Sequence, residues 1–337
     1  FGTTVAISEA TIVFTNCWRF RMRCNGLCVS VFAVAITICL TMTPVAQAGQ
    51  PDKVHASDGD ASPLFSFGLV ADVQYADKPD RPPRFYRASL ERLRECVTEL
   101  NRHPIDFTIQ LGDLIDGYSS PEQSQAGSDA VKSLRDLERV LPELARLNMK
   151  LYHVVGNHCM RVGRETLQER LGLTTAYYDF VPESVSGWRM VVLDSMGIEY
   201  GELGKEQTEW LEATLAQAAK RNERVIVFNH FPLLKETTTR YDTIFLKNQP
   251  AIRNILDRSG CVVAYFAGHD HAAAYAKDLG IHHVTFPAMA EAHKTNAYAI
   301  IDVFDDRIEI RGFGNVPSRT LRLTVSDIRP ATAGNQR

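Results

Sequence analysis

The chain has 337 residues, of which 45% are hydrophobic and 23% are charged. This composition is that of a folded protein with enough length for a large core, and it excludes a disordered, collagen-like or polytopic membrane protein. With 37 basic and 40 acidic side chains the net charge is −3, which gives no reason to expect a nucleic-acid partner. Seven cysteines are too few for a scaffold built on disulfides.

The N-terminal segment has the three-part layout of a secretory signal. Three arginines between residues 19 and 23 precede an uncharged run over residues 27–40, and Ala46–Ala48 has the small-x-small form that signal peptidase cleaves. This run is short for a transmembrane helix. We therefore expect residues 1–48 to be a signal peptide that directs export to the periplasm or the outside of the cell. The alternative is an uncleaved signal anchor that tethers the protein to a membrane.

The remaining boundaries follow from composition. The chain does not begin with Met, so residues 1–21 are expected to be an over-extended start before Met22. Residues 49–62 are small and polar and are expected to be a linker. We expect residues 63–325 to form one domain and residues 326–337 a flexible tail.

Removal of the leader changes the composition of the working protein. It takes away three arginines and one glutamate, which leaves 34 basic and 39 acidic residues and a net charge of −5. Of the seven cysteines only Cys96, Cys159 and Cys261 remain. An odd number of cysteines cannot pair completely within one chain, so at least one thiol is expected to be free.

The segment after residue 62 alternates patterns typical of strands and of helices. Apolar residues have the spacing of amphipathic helices over residues 86–100, 131–147 and 205–219. Short apolar runs typical of strands lie between these segments. Closely spaced strand patterns follow at residues 282–286, 298–304 and 307–312. This alternation predicts a layered α/β domain, whose sheet the late strands extend in an antiparallel or mixed way.

Five of the apolar runs end abruptly in residue types that bind divalent cations. An isolated Asp after a strand is more often a turn or a helix cap, so each cluster alone is weak evidence. Open α/β sheets, however, place ligands at the carboxyl ends of their strands, and there these clusters would meet. The joint pattern therefore predicts a metal site. The clusters are Asp72-Val73-Gln74, Gly112-Asp113, Gly156-Asn157-His158, Asn229-His230 and Gly268-His269-Asp270-His271.

This ordered set resembles the calcineurin-like metallophosphoesterases, whose motifs run DxH, GD, GNH, H and GHxH. Segments such as FGLVADVQYAD, QLGDLIDGY, EQTEWL and RGFGNVPSR look like one branch, the manganese-dependent ADP-ribose/CDP-alcohol diphosphatases. The resemblance covers nearly all of the chain after the leader. It implies a layered α/β/β/α sandwich of two mixed β-sheets flanked by helices.

The resemblance also implies two adjacent divalent cations, with Mn²⁺ favoured and Mg²⁺, Fe or Zn²⁺ as alternatives. Gln74 supplies an amide oxygen where most relatives have an imidazole, and by ligand softness this favours Mn²⁺ or Mg²⁺ over Zn²⁺. Asp113 would bridge the two cations. The first cation would be held by Asp72, Gln74, Asp113 and His271, and the second by Asp113, Asn157, His230 and His269.

The reaction implied by the resemblance is hydrolysis, in which a metal-bridging hydroxide attacks phosphorus in line. Asp113 and His158 would be catalytic, and His158 would donate a proton to the leaving group or stabilise charge on the phosphoryl oxygen. Relatives usually continue the GNH motif with an acid, whereas this chain has Cys159, so the group that orients His158 is left open. The chain has neither a P-loop nor a GxSxG motif, which argues against ATP-driven and simple serine-hydrolase chemistry.

Residues near the first motif are candidates for substrate recognition. An aromatic ring of Tyr75 or Tyr86 could stack on a base, and Arg84 or Arg87 could bind a second phosphate through two hydrogen bonds. The alternative is that Tyr86 packs inward and that the arginines are solvated. The partner is expected to be a small phosphorylated substrate, without nucleic acid and without stable membrane insertion once the signal is cleaved.

Three functions remain open at this point. The first is a diphosphatase that splits the phosphoanhydride of ADP-ribose, CDP-alcohols or similar nucleotides. The second is a broad phosphomonoesterase or cyclic-nucleotide phosphodiesterase with the same fold. The third is a metal-binding scaffold without turnover, against which the complete ligand set and His158 both argue.

Overall fold

The structure, a computed structural model, describes residues 17–21, 30–34, 62–118, 127–197, 200–239 and 245–324. The chain divides into two units, Phe1–Ala56 and Ser57–Arg337. In the first unit, strands β1 (Cys17–Arg21) and β2 (Ser30–Val34) pair in antiparallel orientation. The predicted cleavage motif at Ala46–Ala48, nearly all of the linker and the predicted tail lie outside the described residues.

Within the residues that the structure describes, the second unit contains two six-stranded sheets and five α-helices. The strands are β3 (Phe65–Val70), β4 (Phe107–Gln110), β5 (Lys150–His153), β6 (Tyr178–Phe180), β7 (Trp188–Val192), β8 (Arg224–Phe228), β9 (Val262–Ala267), β10 (Ala274–Asp278), β11 (Ile281–Thr285), β12 (Ala297–Val303), β13 (Arg307–Gly314) and β14 (Arg319–Arg322). The helices are α1 (Ala88–Leu100), α2 (Ser128–Leu144), α3 (Arg164–Leu171), α4 (Lys205–Lys220) and α5 (Gln249–Ser259). No helix in the described ranges is long and apolar enough to span a membrane.

Both sheets are mixed. In the first sheet, with strand order β14-β13-β12-β3-β4-β5, the strands β3, β4 and β5 are parallel, and β12 to β14 extend the sheet in antiparallel orientation. In the second sheet, with order β10-β11-β9-β8-β7-β6, the four central strands are parallel and both edge strands are antiparallel. The late strands therefore extend both sheets rather than one.

An aromatic core joins the inner faces of the two sheets. Phe67 of β3 stacks on Phe107 of β4 with ring centroids 4.8 Å apart. The same ring meets Phe228 of β8 edge to face at 5.7 Å, and Phe228 in turn meets Phe266 of β9. Burial of side chains of this size is the main favourable contribution to folding, at about 2–3 kcal/mol each.

Helices cover the outer faces. Leu100 of α1 lies so close to β3 that a Cβ on Gly68 would stand 2.8 Å from its Cδ1 atom. On the other sheet, α4 contacts β8 and α5 contacts β9. The predicted helices over 131–147 and 205–219 correspond to α2 and α4. The predicted α/β/β/α sandwich of two mixed sheets is confirmed.

Candidate metal centre

The loops that follow β4, β5, β8 and β9 meet at one point. The Nε2 atom of His230 lies 3.2 Å from Asp113 Oδ2, 3.1 Å from Asn157 Oδ1 and 3.2 Å from His269 Nδ1. Asp113, His230 and His269 offer ligand atoms that all lie within 4.8 Å of one another. The structure thus brings together the four residues that the sequence suggests for the second cation.

The residues suggested for the first cation lie directly beside this group. Gln74 Nε2 donates to Asp113 Oδ2 at 3.4 Å, and His271 Nε2 lies 3.5 Å from Asp72 Oδ1. The side chains of Asp72, Gln74 and Asp113 are completely buried. Asp113 therefore lies between the two groups, where a bridging carboxylate would have to stand.

The arrangement of donor atoms fits cations better than it fits a packed core. His230 Nδ1 donates to the main-chain oxygen of Leu111 at 2.8 Å, so Nε2 is the ring nitrogen that faces the oxygen atoms of Asp113 and Asn157. The Asp72 Oδ1 and Gln74 Oε1 atoms are buried, and neither has a hydrogen-bond partner in the part of the chain that the structure describes. Buried acceptors without donors are unfavourable and rare. Oxygen and imidazole ligands of this kind suit divalent transition-metal ions.

The ionisable side chains of this cluster have strongly shifted pKa values. Burial by itself lowers the pKa of His230, but the adjacent Asp113 carboxylate outweighs burial and raises this pKa to about 9. Burial likewise opposes ionisation of Asp113, yet His230 and His158 hold its pKa well below the usual value. Burial raises the pKa of Asp72, whereas burial and the charge of His230 hold the pKa of His269 well below the usual range. A proton between His230 and Asp113 therefore competes with any bound metal.

Backbone strain is concentrated in the same loops. Left-handed backbone is unfavourable for residues other than glycine and tends to occur at functional sites, where it persists because the surroundings hold it. Here the loops hold each other, since Asp72 N donates to Gly112 O at 3.2 Å and Gln74 N to Asp113 O at 2.8 Å. The residues of the cluster with positive φ are Asp72 (50°), Gln74 (41°), Asp113 (52°), His269 (68°) and His271 (66°).

Two glycines of the motifs are explained by close approach to these ligands. A Cβ on Gly156 would stand 2.2 Å from Asp113 Oδ1, and a Cβ on Gly268 would stand 2.4 Å from Asp72 Oδ2. Both distances are far below van der Waals contact, so any larger residue would displace the carboxylate. The glycine that precedes Asn157 and the one that precedes His269 therefore make room for ligands on neighbouring strands.

Comparison with known proteins agrees with this geometry. A sequence profile described as "Calcineurin-like phosphoesterase" matches residues 65–273. The chain belongs to this family. It is 32% identical over 315 residues to a protein of Oryza sativa subsp. japonica named manganese-dependent ADP-ribose/CDP-alcohol diphosphatase, with 77% of this chain and 94% of that protein covered. The protein of the same name from Arabidopsis thaliana is 30% identical, with 76% and 96% covered.

A solved structure shows the same fold. The crystal structure of a dimetal phosphatase from Danio rerio superposes with a TM-score of 0.69 at 26% sequence identity, and the match covers 78% of this chain and all of that one. Family and fold together identify the chain as a metal-dependent hydrolase with an α/β phosphoesterase domain. The predicted superfamily is thereby confirmed.

In this phosphoesterase, His158 is held by a residue that the sequence interpretation did not include. Its ring Nδ1 donates to the main-chain oxygen of Asp116 at 2.5 Å, and the Asp116 carboxylate Oδ1 lies 3.5 Å from the same nitrogen. The backbone N–H of His158 donates to Asp113 Oδ1 at 2.8 Å. Asp116 follows Asp113 by three residues, and this GDxxD spacing is the signal that could have revealed it. Glu291, which contacts His271 at 2.6 Å, was also missed.

Cys159 has a packing role in the structure. Its Sγ accepts a hydrogen bond from the Leu114 backbone N–H at 3.1 Å, and its side chain is buried. Burial raises the pKa of this thiol to about 12. A raised pKa disfavours the thiolate form, which argues against a nucleophilic role for Cys159.

The candidate substrate residues lie near the centre but mostly point elsewhere. Tyr75 is 4% exposed, and its hydroxyl accepts from Arg139 Nη1 at 2.9 Å. Tyr86 is also 4% exposed, which is the inward packing that the alternative interpretation predicts. Arg84 donates to Asp116 Oδ1 at 2.8 Å, and Arg87 donates to Asp77 at the surface. Contact of any of these residues with substrate stays a prediction.

Proposed function

We propose that this protein is a manganese-dependent diphosphatase that hydrolyses the phosphoanhydride of nucleotide diphosphate compounds of the ADP-ribose or CDP-alcohol type. The observation that carries the proposal is the convergence of Asp113, His230 and His269, with Gln74 beside them, whose amide oxygen has no hydrogen-bond partner among the described residues. The substrate class is supported by the plant relatives of that name, nearly the whole length of which the chain matches.

Asp72, Gln74, Asp113 and His271 would hold one cation, and Asp113, Asn157, His230 and His269 the other. The chemistry that two divalent cations supply at such a site is positive charge beside the phosphorus and a lowered pKa of the attacking water. A hard amide oxygen from Gln74 in place of an imidazole suits Mn²⁺ better than Zn²⁺.

His158 supplies the proton-transfer group of the proposed reaction. Because a carbonyl oxygen can only accept, the Asp116 contact fixes the proton on Nδ1 and leaves Nε2 as the nitrogen for the substrate. To act as the acid, the ring would carry a second proton on Nε2 and would donate it to the oxygen that leaves phosphorus, which returns the imidazole to its neutral Nδ1–H form. Asp113 Oδ1 accepts from the His158 backbone N–H, so the Asp113 carboxylate, which would hold both cations, and the His158 ring keep a fixed relative position.

The other candidate functions are less well supported. A phosphomonoesterase or cyclic-nucleotide phosphodiesterase would use the same centre, so only substrate preference separates it from a diphosphatase. A metal-binding scaffold without turnover would need the metal ligands, but it would not need an oriented His158 beside them.

We further propose that the protein is exported through its N-terminal leader and works outside the cytoplasm. The three arginines, the uncharged run and the Ala46–Ala48 motif support this proposal. Expression of the full chain followed by N-terminal sequencing of the extracytoplasmic fraction tests it. A mature chain that begins at Gly49 is expected, and an intact leader in the membrane fraction would instead support the signal anchor.

A substrate panel tests the proposed activity. The purified protein, loaded with Mn²⁺, Mg²⁺ or Zn²⁺, is assayed against ADP-ribose, CDP-choline, cyclic AMP and an aryl phosphate. We expect the highest kcat/KM with Mn²⁺ and one of the two diphosphate substrates. Preference for the aryl phosphate or cyclic AMP would support the second function, and two bound metals without turnover on any substrate would support the scaffold.

A further inference from the structure

We infer that Glu291 is a positioning residue for His271, and that Arg84 connects this carboxylate to Asp116 beside His158. One arginine would then hold together the two groups that orient a metal ligand and the proton donor. The inference rests on the metal centre of the proposed function and deepens it. It assigns Arg84 a role different from binding a second phosphate.

Glu291 holds the imidazole of His271 in one orientation. Its Oε1 accepts from His271 Nδ1 at 2.6 Å, and both side chains are buried, with 7% and 5% of their surface exposed. A carboxylate cannot donate, so Nδ1 carries the proton and Nε2, the atom 3.5 Å from Asp72 Oδ1, keeps its lone pair for a cation. Carboxylates that bond a metal-ligating histidine in this way fix its tautomer and raise its basicity.

The turn that carries Glu291 is attached directly to the metal loop. The three residues just before it donate their backbone N–H groups to the loops of the metal centre. Ala288 N donates to His271 O at 3.2 Å, Met289 N to Ala71 O at 3.1 Å, and Ala290 N to Asp72 O at 3.1 Å. These main-chain hydrogen bonds fix the position of Glu291 relative to both Asp72 and His271. The carboxylate is therefore placed by the backbone of the centre itself.

Arg84 reaches both carboxylates. Its Nη1 donates to Asp116 Oδ1 at 2.8 Å, and its Nε lies 3.9 Å from Glu291 Oε1, the atom that also receives the His271 proton. The next residue, Phe85, donates its backbone N–H to Ala290 O at 2.8 Å, which holds the arginine loop against the Glu291 turn. The path from His271 to His158 thus runs through Glu291, Arg84 and Asp116, and its longest step is the 3.9 Å ion pair between Arg84 and Glu291.

This placement competes with a substrate role. A guanidinium that binds a phosphate bidentately must turn its paired N–H groups toward the ligand. In Arg84, Nη1 and Nε both face carboxylates of the protein. These two carboxylates therefore compete with a substrate phosphate for the N–H groups of Arg84.

Mn²⁺ binding to the full-length protein, measured by isothermal titration calorimetry without substrate, tests the role of Glu291. We expect Glu291→Gln to weaken the affinity of one of two Mn²⁺ sites by 10- to 100-fold, the usual effect of removing such a partner. At saturating Mn²⁺ most of the kcat should return. Wild-type affinity at both sites would overturn the inference, whereas failure of the substrate panel would leave this readout intact.

Glu223→Gln is the matched control. Glu223 accepts from Arg189 Nε at 2.6 Å and its side chain is 11% exposed, so it is an equally short, buried contact just before β8, at the opposite end of that strand from His230. The Glu223→Gln variant should have a lower midpoint of thermal unfolding and an unchanged Mn²⁺ affinity. An equal loss of affinity in Glu223→Gln would reduce the effect of Glu291 to general destabilisation and overturn its positioning role. If Glu291→Gln does not fold, Glu291→Asp is titrated instead and should show an intermediate loss; wild-type affinity there would count against the inference.

Arg84→Met separates positioning from substrate binding. If Arg84 is a positioning residue, Arg84→Met should lower kcat at least tenfold and weaken one Mn²⁺ site several-fold. KM should stay within threefold of wild type. Arg84→Lys, which keeps one charge but not both contacts, should recover part of kcat. A tenfold rise in KM with unchanged Mn²⁺ affinity and kcat would instead assign Arg84 to the substrate and overturn its part in the inference.

Discussion

The Nδ1 atom of His158 lies 2.5 Å from the main-chain oxygen of Asp116, so the proton donor is oriented by the backbone three residues beyond Asp113. The sequence places Cys159 where relatives usually carry an acid after the GNH motif, which left the orientation of this histidine unexplained. The structure explains this orientation, because the hydrogen-bond partner of His158 is Asp116 in the loop that follows β4. Loss of the acid after GNH therefore need not weaken the control of His158.

The roles of Asp113 and His158 separate by their effects on metal binding. Asp113→Asn should lose metal and activity together, because the neutral amide cannot balance the charge of two cations and its N–H group points at ligands. His158→Ala should retain both metals and lower kcat by about 10²- to 10⁴-fold, the usual contribution of a general acid. Metal content and turnover are measured on the same samples, and equal metal loss in both variants would contradict the assignment.

Cys159 should be dispensable for turnover. Cys159→Ala removes the bond from Leu114 N but leaves the Asp116 contact of His158 in place, so kcat is expected to stay within about threefold of wild type. The lost packing and hydrogen bond should lower the free energy of unfolding by about 1–2 kcal/mol. Urea unfolding and steady-state kinetics check both expectations. A hundredfold loss of kcat in a stably folded variant would give the thiol a chemical role.

Gly156→Ala should damage the centre more than it damages the fold. A Cβ there would overlap Asp113 Oδ1 at 2.2 Å, so the carboxylate must move away from the position between the two ligand groups. Strain of this kind is about 1–3 kcal/mol, which corresponds to a loss of Mn²⁺ affinity on the order of tenfold or more. Gly204→Ala is the control because a Cβ on Gly204 meets nothing within 4 Å. Equal Mn²⁺ affinities in the two variants would argue against the close-approach explanation.

His283 should make the fold sensitive to acid. It is 2% exposed, and among the described residues neither ring nitrogen has a hydrogen-bond partner. Burial lowers its pKa to about 4 from 6.5, so the folded protein keeps it neutral where the unfolded chain takes up a proton. Stability contributed by the neutral form is therefore present above pH 6.5 and is lost as the pH falls toward 4.

His283→Leu tests this pH dependence. The free energy of unfolding is measured in urea at pH 7 and at pH 5 for both proteins. Its decrease from pH 7 to pH 5 should be about 2 kcal/mol smaller in the variant than in the wild type. At pH 7 the two proteins should differ little, because no hydrogen bond is lost. The same drop between pH 7 and pH 5 in both proteins would show that His283 does not titrate as described.

The ligand residues were visible in the sequence because each follows an apolar strand and carries a distinctive side chain. Strand order was not, since nothing local encodes that β11 pairs with β9 or that the last strands join two different sheets. Helix α3 was missed for a related reason, because only Leu167 and Leu171 are buried along its eight residues, too few for a helical period.

Residues that act through others were the hardest to predict. Tyr75 follows Gln74 directly, but its ring packs in the core and its hydroxyl accepts from Arg139, and sequence adjacency alone reveals neither contact. Glu291 lies twenty residues after His271 on a short turn with no motif of its own, and only the folded backbone brings it to the imidazole.

The most direct test of the account is the rate of ADP-ribose hydrolysis as Mn²⁺ is added stepwise to metal-free protein, followed by ³¹P NMR. The account predicts no hydrolysis without metal, a rise that levels off at two Mn²⁺ per chain, and two phosphomonoesters, AMP and ribose 5-phosphate, as products. Hydrolysis that is independent of metal, or two bound Mn²⁺ without cleavage of ADP-ribose or CDP-choline, would contradict it.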